Sequence, residues 1–476
     1  MKQYHSTSLL ASFATIKALS DENKYQSAYQ ILAEFIRHVI VEEHLYSFTA
    51  AVMKNRLNEH YGFIIPEAVV KSAVKKMAGI ISNNGEYRVS FSEIGTDSRF
   101  KEKKKEADDT NKSIFDSLVE YVKERTETSV NTDILTQDLI ALLMDDQRNE
   151  QGKYTDYIGE FILKNETNMD VQDGLNRIRE GSILYIGLNY NISETGSITK
   201  PLTLFLDTEI LFSLNGLNGE LYKELAQDFF GLVQRANANG KRMVTLRYFS
   251  DVKREIDDFY YSAREIVNGT KPLQLLKPAM SAIINGCTTV ADVDVKQADF
   301  YHILQYSYGI MEDPNKEYYG EDSFSANLES FDYLDDGDDN SKKREMGIKH
   351  ISHINKLRNG ARFTNDIESG FLLVTNTRNT LHISKEEAES IKAKEDLDSL
   401  ANFAVSLDRI TSLLWYKLGN GFGNKDYPKN VSAVLRSRLI LSSSIAKKLS
   451  VLFPTQKNNT KLVKSLMNNW QLGLLP

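Results

Sequence analysis

Three carboxylates and one amide occupy comparable places in this chain, and those places are where chemistry tends to be done. Asp207 follows Leu202 to Leu206, an apolar or β-branched run with the composition of a short strand buried on both faces. Glu209, two residues on, brings a second carboxylate within reach of the same spot. Glu255 stands in the first two turns of a helical stretch that follows the strand-like RMVTLRYF, and Asn376 follows FLLVT. Asp207, Glu255 and Asn376 thus fall at, or within a turn of, a strand's carboxyl end, where open α/β sheets place ligand and metal groups. The plainer role for Asp207 is a helix N-cap, because Ile210, Leu211 and Leu214 after it have helical spacing.

Such a site needs elements to hold it. Glu220–Asn237 is strongly periodic helix, Arg242–Phe249 is a β-branched-rich strand, and Ser250 is placed to cap the helix that carries Glu255, Asp257 and Asp258. Gly370 precedes the buried strand FLLVT. Strands alternating with helices predict an α/β fold with a parallel sheet whose strand ends gather at one edge. Upstream, SILYIGLNYNI reads as a strand, Asp133–Lys164 and Val171–Arg179 as helix, and Glu180-Gly181 as a break. FKEKKKEADDTNK reads as a charged linker leading into a helical connector.

Composition sets the outer limits. At 476 residues the chain is long enough for two to four domains, and its 41% hydrophobic and 26% charged residues are ordinary for a soluble globular protein. No apolar run is long enough to span a bilayer, and the N-terminal stretch lacks a signal peptide's apolar core, so the expectation is a cytoplasmic protein without membrane contact. A single cysteine, Cys287, excludes an internal disulfide and a Cys-rich zinc site. With a net charge of −7, nucleic-acid contact has to come from a local patch. There is no GxGxxG, Walker or GxSxG element, which leaves dinucleotide, ATPase and serine-hydrolase readings without a motif.

Two resemblances follow from these patterns. Between Ser27 and Phe91 the order is a helix at Tyr29–Val41, a helix from Ser47 to Gly62, a third helix after Pro66, and a ribbon around Asn84-Gly85. This order resembles a winged helix-turn-helix, with Lys71, Lys75 and Lys76 on the reading helix facing phosphates or bases. Winged helices also serve as protein–protein modules. The stretch Ile183–Leu418, with FLDTEILF, then Glu255, then FLLVTN, resembles a PIN-like domain. That resemblance implies a nuclease that gathers acids at one sheet edge around Mg²⁺ or Mn²⁺ to hydrolyse phosphodiester bonds. Asp207 matches the first acid and Glu255 the acid of the second helix, with Glu209 a looser neighbour of the first. The third acid is expected within KREMGIKHISHINKLR, where Gly347 stands and Glu345 is the nearest carboxylate. Thr377 stands where the family often has Asp. Asp408 is a late metal candidate whose plainer role is an N-cap.

The resulting layout is a winged-helix-like segment at 1–95, a helical connector at 96–180, a PIN-like domain at 181–425 and a helical C-terminal segment at 426–476. An acidic insertion covers about 312–345, within a longer break starting at Tyr301, and reads as a solvated loop. His350 and His353, three apart on a helix beside Lys349 and Lys356, read as a surface or phosphate contact. Arg436, Arg438, Lys447 and Lys448 make the C-terminal segment basic, though its apolar face suits packing on the core or on a second copy. The expected function is RNA cleavage, or DNA cleavage, in a prokaryotic defence or toxin system with a partner protein or as a homo-oligomer. The alternative is a non-catalytic DNA- or protein-binding regulator on a degenerate PIN-like scaffold.

Overall fold

A computed structural model describes residues 3–22, 24–25, 27–95, 98–126, 128–144, 152–189, 198–240, 242–272, 278–315, 324–326, 338–397 and 399–420, together with 428 and 432. The described residues divide into two compact units, one up to Asn189 together with those from Trp415 on, the other from Ile198 to Leu414. The acidic stretch at 332–337 and the basic C-terminal residues Arg436, Arg438, Lys447 and Lys448 lie outside the described residues. Among the described residues no helix is long and apolar enough to cross a membrane.

The first unit begins with α1 (Gln3–Ser20) and α2 (Ala28–Glu42), then β1 (Ser47–Thr49), α3 (Ala50–Tyr61), α4 (Glu67–Val74), β2 (Ile80–Asn83) and β3 (Glu86–Val89). Asn84 and Gly85 both take positive φ, which is what the tight turn of the β2–β3 hairpin requires. β3 pairs antiparallel with β1 and β2, giving the order β1-β3-β2. Ser47 therefore belongs to a strand rather than to a helix. The helix starts at Ala50, where the Thr49 hydroxyl accepts the Val52 N–H at 3.3 Å. α4 stops at Val74, so Lys71 is on the helix while Lys75 and Lys76 lie just beyond it.

The charged linker turns out to be helix. α5 (Ser98–Thr126) runs unbroken through it, because Phe100, Ala107, Ile114, Leu118 and Tyr121 form a buried stripe beneath the charges. On its outer side Lys104 pairs with Asp108 one turn on, at 2.9 Å. The helix expected over 133–164 is two, α6 (Thr132–Met144) and α7 (Thr155–Lys164). SILYIGLNYNI is not a strand; its described part completes α8 (Met169–Asn189). Gly181 is a crossing point rather than a break: a Cβ there would collide with the Phe13 carbonyl oxygen of α1. The core of this unit contains an aromatic cluster, with Phe35 against Tyr61, Phe63 and Phe100, and Phe63 stacked on Tyr185 of α8.

The second unit alternates strand and helix. In order come β4 (Leu202–Leu206), α9 (Thr208–Leu214), α10 (Glu220–Ala236), β5 (Val244–Tyr248), α11 (Ser250–Val267), α12 (Pro278–Ile284), α13 (Val290–His302) and β6 (Met311–Glu312). Then follow α14 (Asp338–Leu357), β7 (Phe371–Val374), α15 (Arg378–Lys394), β8 (Ala404–Val405) and α16 (Leu407–Trp415). All five strands are parallel, in the order β6-β5-β4-β7-β8. The fold class is α/β, and the central strand β4 is the buried apolar run at Leu202–Leu206. β6 lies inside the stretch expected as an insertion; the sheet's edge reaches further along the chain than periodicity suggests. From β4 the sheet grows through β5 to β6 on one side and through β7 to β8 on the other. The direction of growth reverses between β4 and β7, and the crevice at their carboxyl ends is the favoured place for a ligand in such a sheet.

Candidate active site

Asp207 is held at that crevice by the ladder itself, since its N–H donates to the Val374 carbonyl of β7 at 3.0 Å. Its backbone is extended and it stands at the N-cap of α9, where Oδ1 accepts the Thr208 N–H at 2.8 Å. The other oxygen does something a cap does not. Oδ2 accepts the Thr375 hydroxyl from beyond β7 at 2.6 Å, across the point where the sheet reverses. Thr375 is fully buried and in turn accepts the Thr377 N–H at 3.0 Å, so its hydroxyl is aimed.

The same crossing ties in the other acids. Glu209 Oε1 accepts the N–H of Asn376. Thr208 Oγ1 donates to Glu255 Oε2 of α11 at 2.5 Å. Asp207, Glu209 and Glu255 are therefore joined through Thr208, Thr375 and Asn376 into one continuous network. Asn376 is exposed, and its Oδ1 accepts the Leu407 N–H at the start of α16 at 3.1 Å.

Beside the acids lies a buried polar group on α11 and α14. Asp251, in the first turn of α11, has a side chain only 1% exposed; it accepts from Lys349 Nζ at 2.8 Å and pairs with Arg254. Burial alone would raise its pKa, but the contacts with His353 and Lys349 hold it well below the usual carboxylate range. His353 Nε2 lies 3.7 Å from Asp251 Oδ2, too long for a hydrogen bond. Burial lowers the pKa of both histidines, that of His350 to about 4, so His350 is a neutral imidazole at pH 7. Asp207 is the charge that most opposes this lowering in His350. The His350 ring stacks on Phe249 at 5.1 Å, and Phe249 on Phe205 of β4 at 4.2 Å.

No family model matches this chain, and no curated protein or solved structure matches it either. Its site has to be judged on its own atoms.

Among the residues named from sequence, Asp207, Glu209, Glu255 and Asn376 come together. Glu345 is exposed on α14, five residues before His350. Asp408 lies in the first turn of α16, but the capping side chain there is Ser406, which accepts the Arg409 N–H at 3.0 Å. Ser250 likewise is the first residue of α11 and not its cap; its hydroxyl donates to Glu312 Oε1 at 2.5 Å. Gly347 faces α15, and a Cβ there would meet Thr380 Oγ1 at 2.8 Å, so no acid fits that position unaided. His350 and His353 are buried, 3% exposed each, and are not surface contacts. Lys71, Lys75 and Lys76 are exposed in the first unit, with Lys71 Nζ 3.9 Å from Glu67. Asp251 is the residue the sequence reading misses, although it follows a strand's carboxyl end just as Asp207 does.

The anionic oxygens that could hold Mg²⁺ or Mn²⁺ are those of Asp207, Glu209 and Glu255. Each carboxylate has lone pairs beyond the hydrogen bonds described, and hard oxygen donors suit such ions. Among the described residues no three His, Cys, Asp or Glu side chains are arranged around one point for a metal. Next to the acids a shallow cavity of about 200 Å³ is lined by Glu255, Asp258, Phe259, Ser262, Lys271 and Met280 among others.

Proposed function

We propose that the second unit is a metal-dependent, PIN-like nuclease that hydrolyses phosphodiester bonds, with RNA ranked before DNA as its substrate. The observation that carries this reading is the network joining Asp207, Glu209 and Glu255 across the crevice between β4 and β7. Acids that only capped helices would have no need to be tied to one another through two threonines and a backbone N–H. In this reading Asp207 and Glu255 are the principal ligands of Mg²⁺ or Mn²⁺, with Glu209 beside them. Such an ion activates water and stabilises the leaving oxygen when bound. Thr208 and Thr375 fix the carboxylate orientations, and the exposed Asn376 beside them is the nucleic-acid contact in this reading. The order α2-β1-α3-α4-β2-β3 supports a winged-helix module in the first unit, with Lys71, Lys75 and Lys76 toward nucleic acid. By the same resemblance the setting is a prokaryotic defence or toxin system in the cytoplasm.

A second reading, a non-catalytic DNA- or protein-binding regulator, draws support from Gly347 packed on α15 and Thr377 in place of two acids. One experiment separates them. The full chain is melted in chelator and with added Mn²⁺, and incubated with single-stranded RNA and DNA. The nuclease reading expects Mn²⁺ to raise the melting temperature and RNA to be cleaved, with both effects lost in Glu255→Gln. Absence of both in the parent chain leaves the regulator.

A further inference from the structure

The cavity beside Glu255 has a volume of about 200 Å³. That is below the roughly 300–1,000 Å³ of a site for a drug-sized ligand and leaves room for one ring system. α11 supplies one wall, and Met280 of α12 and Lys271, from the segment between the two helices, add to it. The lining divides by chemistry. Phe259, Ile266 and Met280 are apolar, and Phe259 is braced edge-on against Phe212 of α9 with ring centroids 5.1 Å apart. Lys271 brings positive charge, and its Nζ donates to Ser262 Oγ at 3.1 Å. The two carboxylates differ. Glu255 accepts the Thr208 hydroxyl at 2.5 Å and belongs to the acid network. Asp258, three residues on along the same face of α11, is exposed and has no hydrogen-bond or ion-pair partner among the described residues.

We propose that this cavity holds the base of a guanosine nucleotide beside the scissile phosphate, with Asp258 reading the base and Lys271 meeting a neighbouring phosphate. The inference rests on the nuclease reading above and names the nucleotide it prefers. An ionised carboxylate only accepts hydrogen bonds, through two oxygens. Guanine is the base whose pairing edge offers two adjacent donors, the N1 hydrogen and the N2 amino group. Adenine and cytosine each put an acceptor nitrogen next to their amino group. Uracil flanks its single N–H with two carbonyls. Each of these three therefore sets a lone pair against the carboxylate. The apolar wall suits the face of the ring, as apolar and aromatic side chains suit the splayed-out bases of single-stranded RNA. Lys271 meets phosphate as a point charge and reads no sequence.

The test uses the full chain in chelator, with guanosine, adenosine, cytidine and uridine 3′-monophosphates as probes. Saturation-transfer NMR is the readout, since it registers weak ligands and needs neither metal nor cleavage. The guanosine nucleotide should bind about tenfold more tightly than the other three, the scale of one bidentate base contact. Asp258→Asn exchanges one acceptor oxygen for a donor at an exposed position. The variant should keep the parent's melting temperature and lose the guanosine preference. Lys271→Gln should weaken all four nucleotides alike, as loss of a phosphate contact does. Equal binding of the four by the parent, binding of none, or a guanosine preference that survives Asp258→Asn overturns the base site. With Mn²⁺ added, cleavage of a mixed-sequence RNA should fall beside guanosines in the parent and lose that bias in Asp258→Asn. Cleavage without guanosine bias overturns the base site and leaves the nuclease reading standing. Guanosine binding that depends on Asp258, in a chain that neither answers to Mn²⁺ nor cleaves RNA, sustains the base site and overturns the nuclease reading.

Discussion

The parallel sheet of the second unit has polar residues buried at both ends, and the two ends treat them differently. At the amino ends of β7 and β8, Arg358 is 5% exposed and donates to the carbonyls of Phe371, Ala401 and Asn402. Asp366, 1% exposed, accepts the Asn402 N–H at 2.8 Å, its side-chain amide at 3.1 Å and Arg409 Nε at 3.2 Å. Burial lowers the Arg358 pKa to about 10 against the pull of Asp366, so it stays charged at pH 7. At the carboxyl ends, Asp251 Oδ2 and His350 Nε2 are buried with no hydrogen bond. Closed polar networks specify a packed arrangement; open ones leave bonding capacity for something not of the chain. The contrast is between a closed polar network at the amino end and unmatched buried atoms at the carboxyl end, where the proposed site lies.

The largest effect that could break this contrast is expected at the amino end. Arg358→Ala removes three carbonyl partners, the charge beside Asp366 and a guanidinium stacked over Phe403 at 5.1 Å. Removing one partner of a buried ionic network costs about 3–5 kcal/mol. Urea unfolding should register a loss of that size with no change in any metal response. A small loss would mean that the amino end is no more structural than its opposite.

Next in size is Gly347→Asp, which supplies the acid that the PIN-like pattern expects. The close approach of Gly347 to Thr380 predicts a steric penalty of about 1–3 kcal/mol, as for other overpacked sites. No gain in Mn²⁺ affinity should accompany it. A stable variant with tighter Mn²⁺ binding would show that α14 turns this position toward the acids.

These two positions also show how far the sequence reaches. β4 and β7 are legible because short apolar runs end at Asp207 and at Thr375-Asn376, and the alternation with helices fixes a parallel sheet. β6 and β8 have two residues each, too few for any period to show. The end of α8 reads as a strand because a short apolar run cannot be told from a buried helix by its period. The burial of His350 depends on Phe249, and the crowding at Gly347 on Thr380; both neighbours are distant in sequence. Asp251 was within reach, one residue from the Ser250 expected as a cap, but in sequence a buried acid looks like an exposed one.

An effect graded with pH tests the open end. His350 has its folded pKa at about 4 against about 6.5 in an unfolded chain. Above pH 6.5 both states hold it neutral and its burial adds no pH dependence. Below that the unfolded chain takes up a proton that the folded one refuses, so stability falls as pH drops from about 6.5 to about 4, by at most about 1.4 kcal/mol per pH unit for one proton. The charges facing the ring are Asp207, Asp251, Lys349 and His353, whose own lowered pKa adds in the same direction. Urea midpoints in chelator should therefore decline through this window, and His350→Phe should flatten only part of the decline. An unchanged slope would place the ring in contact with water.

The smallest expected change in stability is the most discriminating. Asp207→Asn in chelator should leave the unfolding free energy within about 1 kcal/mol of the parent. Asn serves an N-cap as well as Asp does, and its carbonyl oxygen can go on accepting the Thr208 N–H. The other bond reverses: the Asn amide would donate to the Thr375 hydroxyl, which has two lone pairs and already accepts from Thr377. Loss of the charge removes a favourable interaction with the N-terminus of α9, worth roughly 0.3–1 kcal/mol. It also relieves repulsion from Glu209 and Glu255, which acts with the opposite sign. These two changes nearly cancel, whereas at Arg358 nothing offsets the loss. If Asp207→Asn were to cost as much as Arg358→Ala, the carboxyl end would be as structural as the amino end, and the acids gathered there would be part of the scaffold.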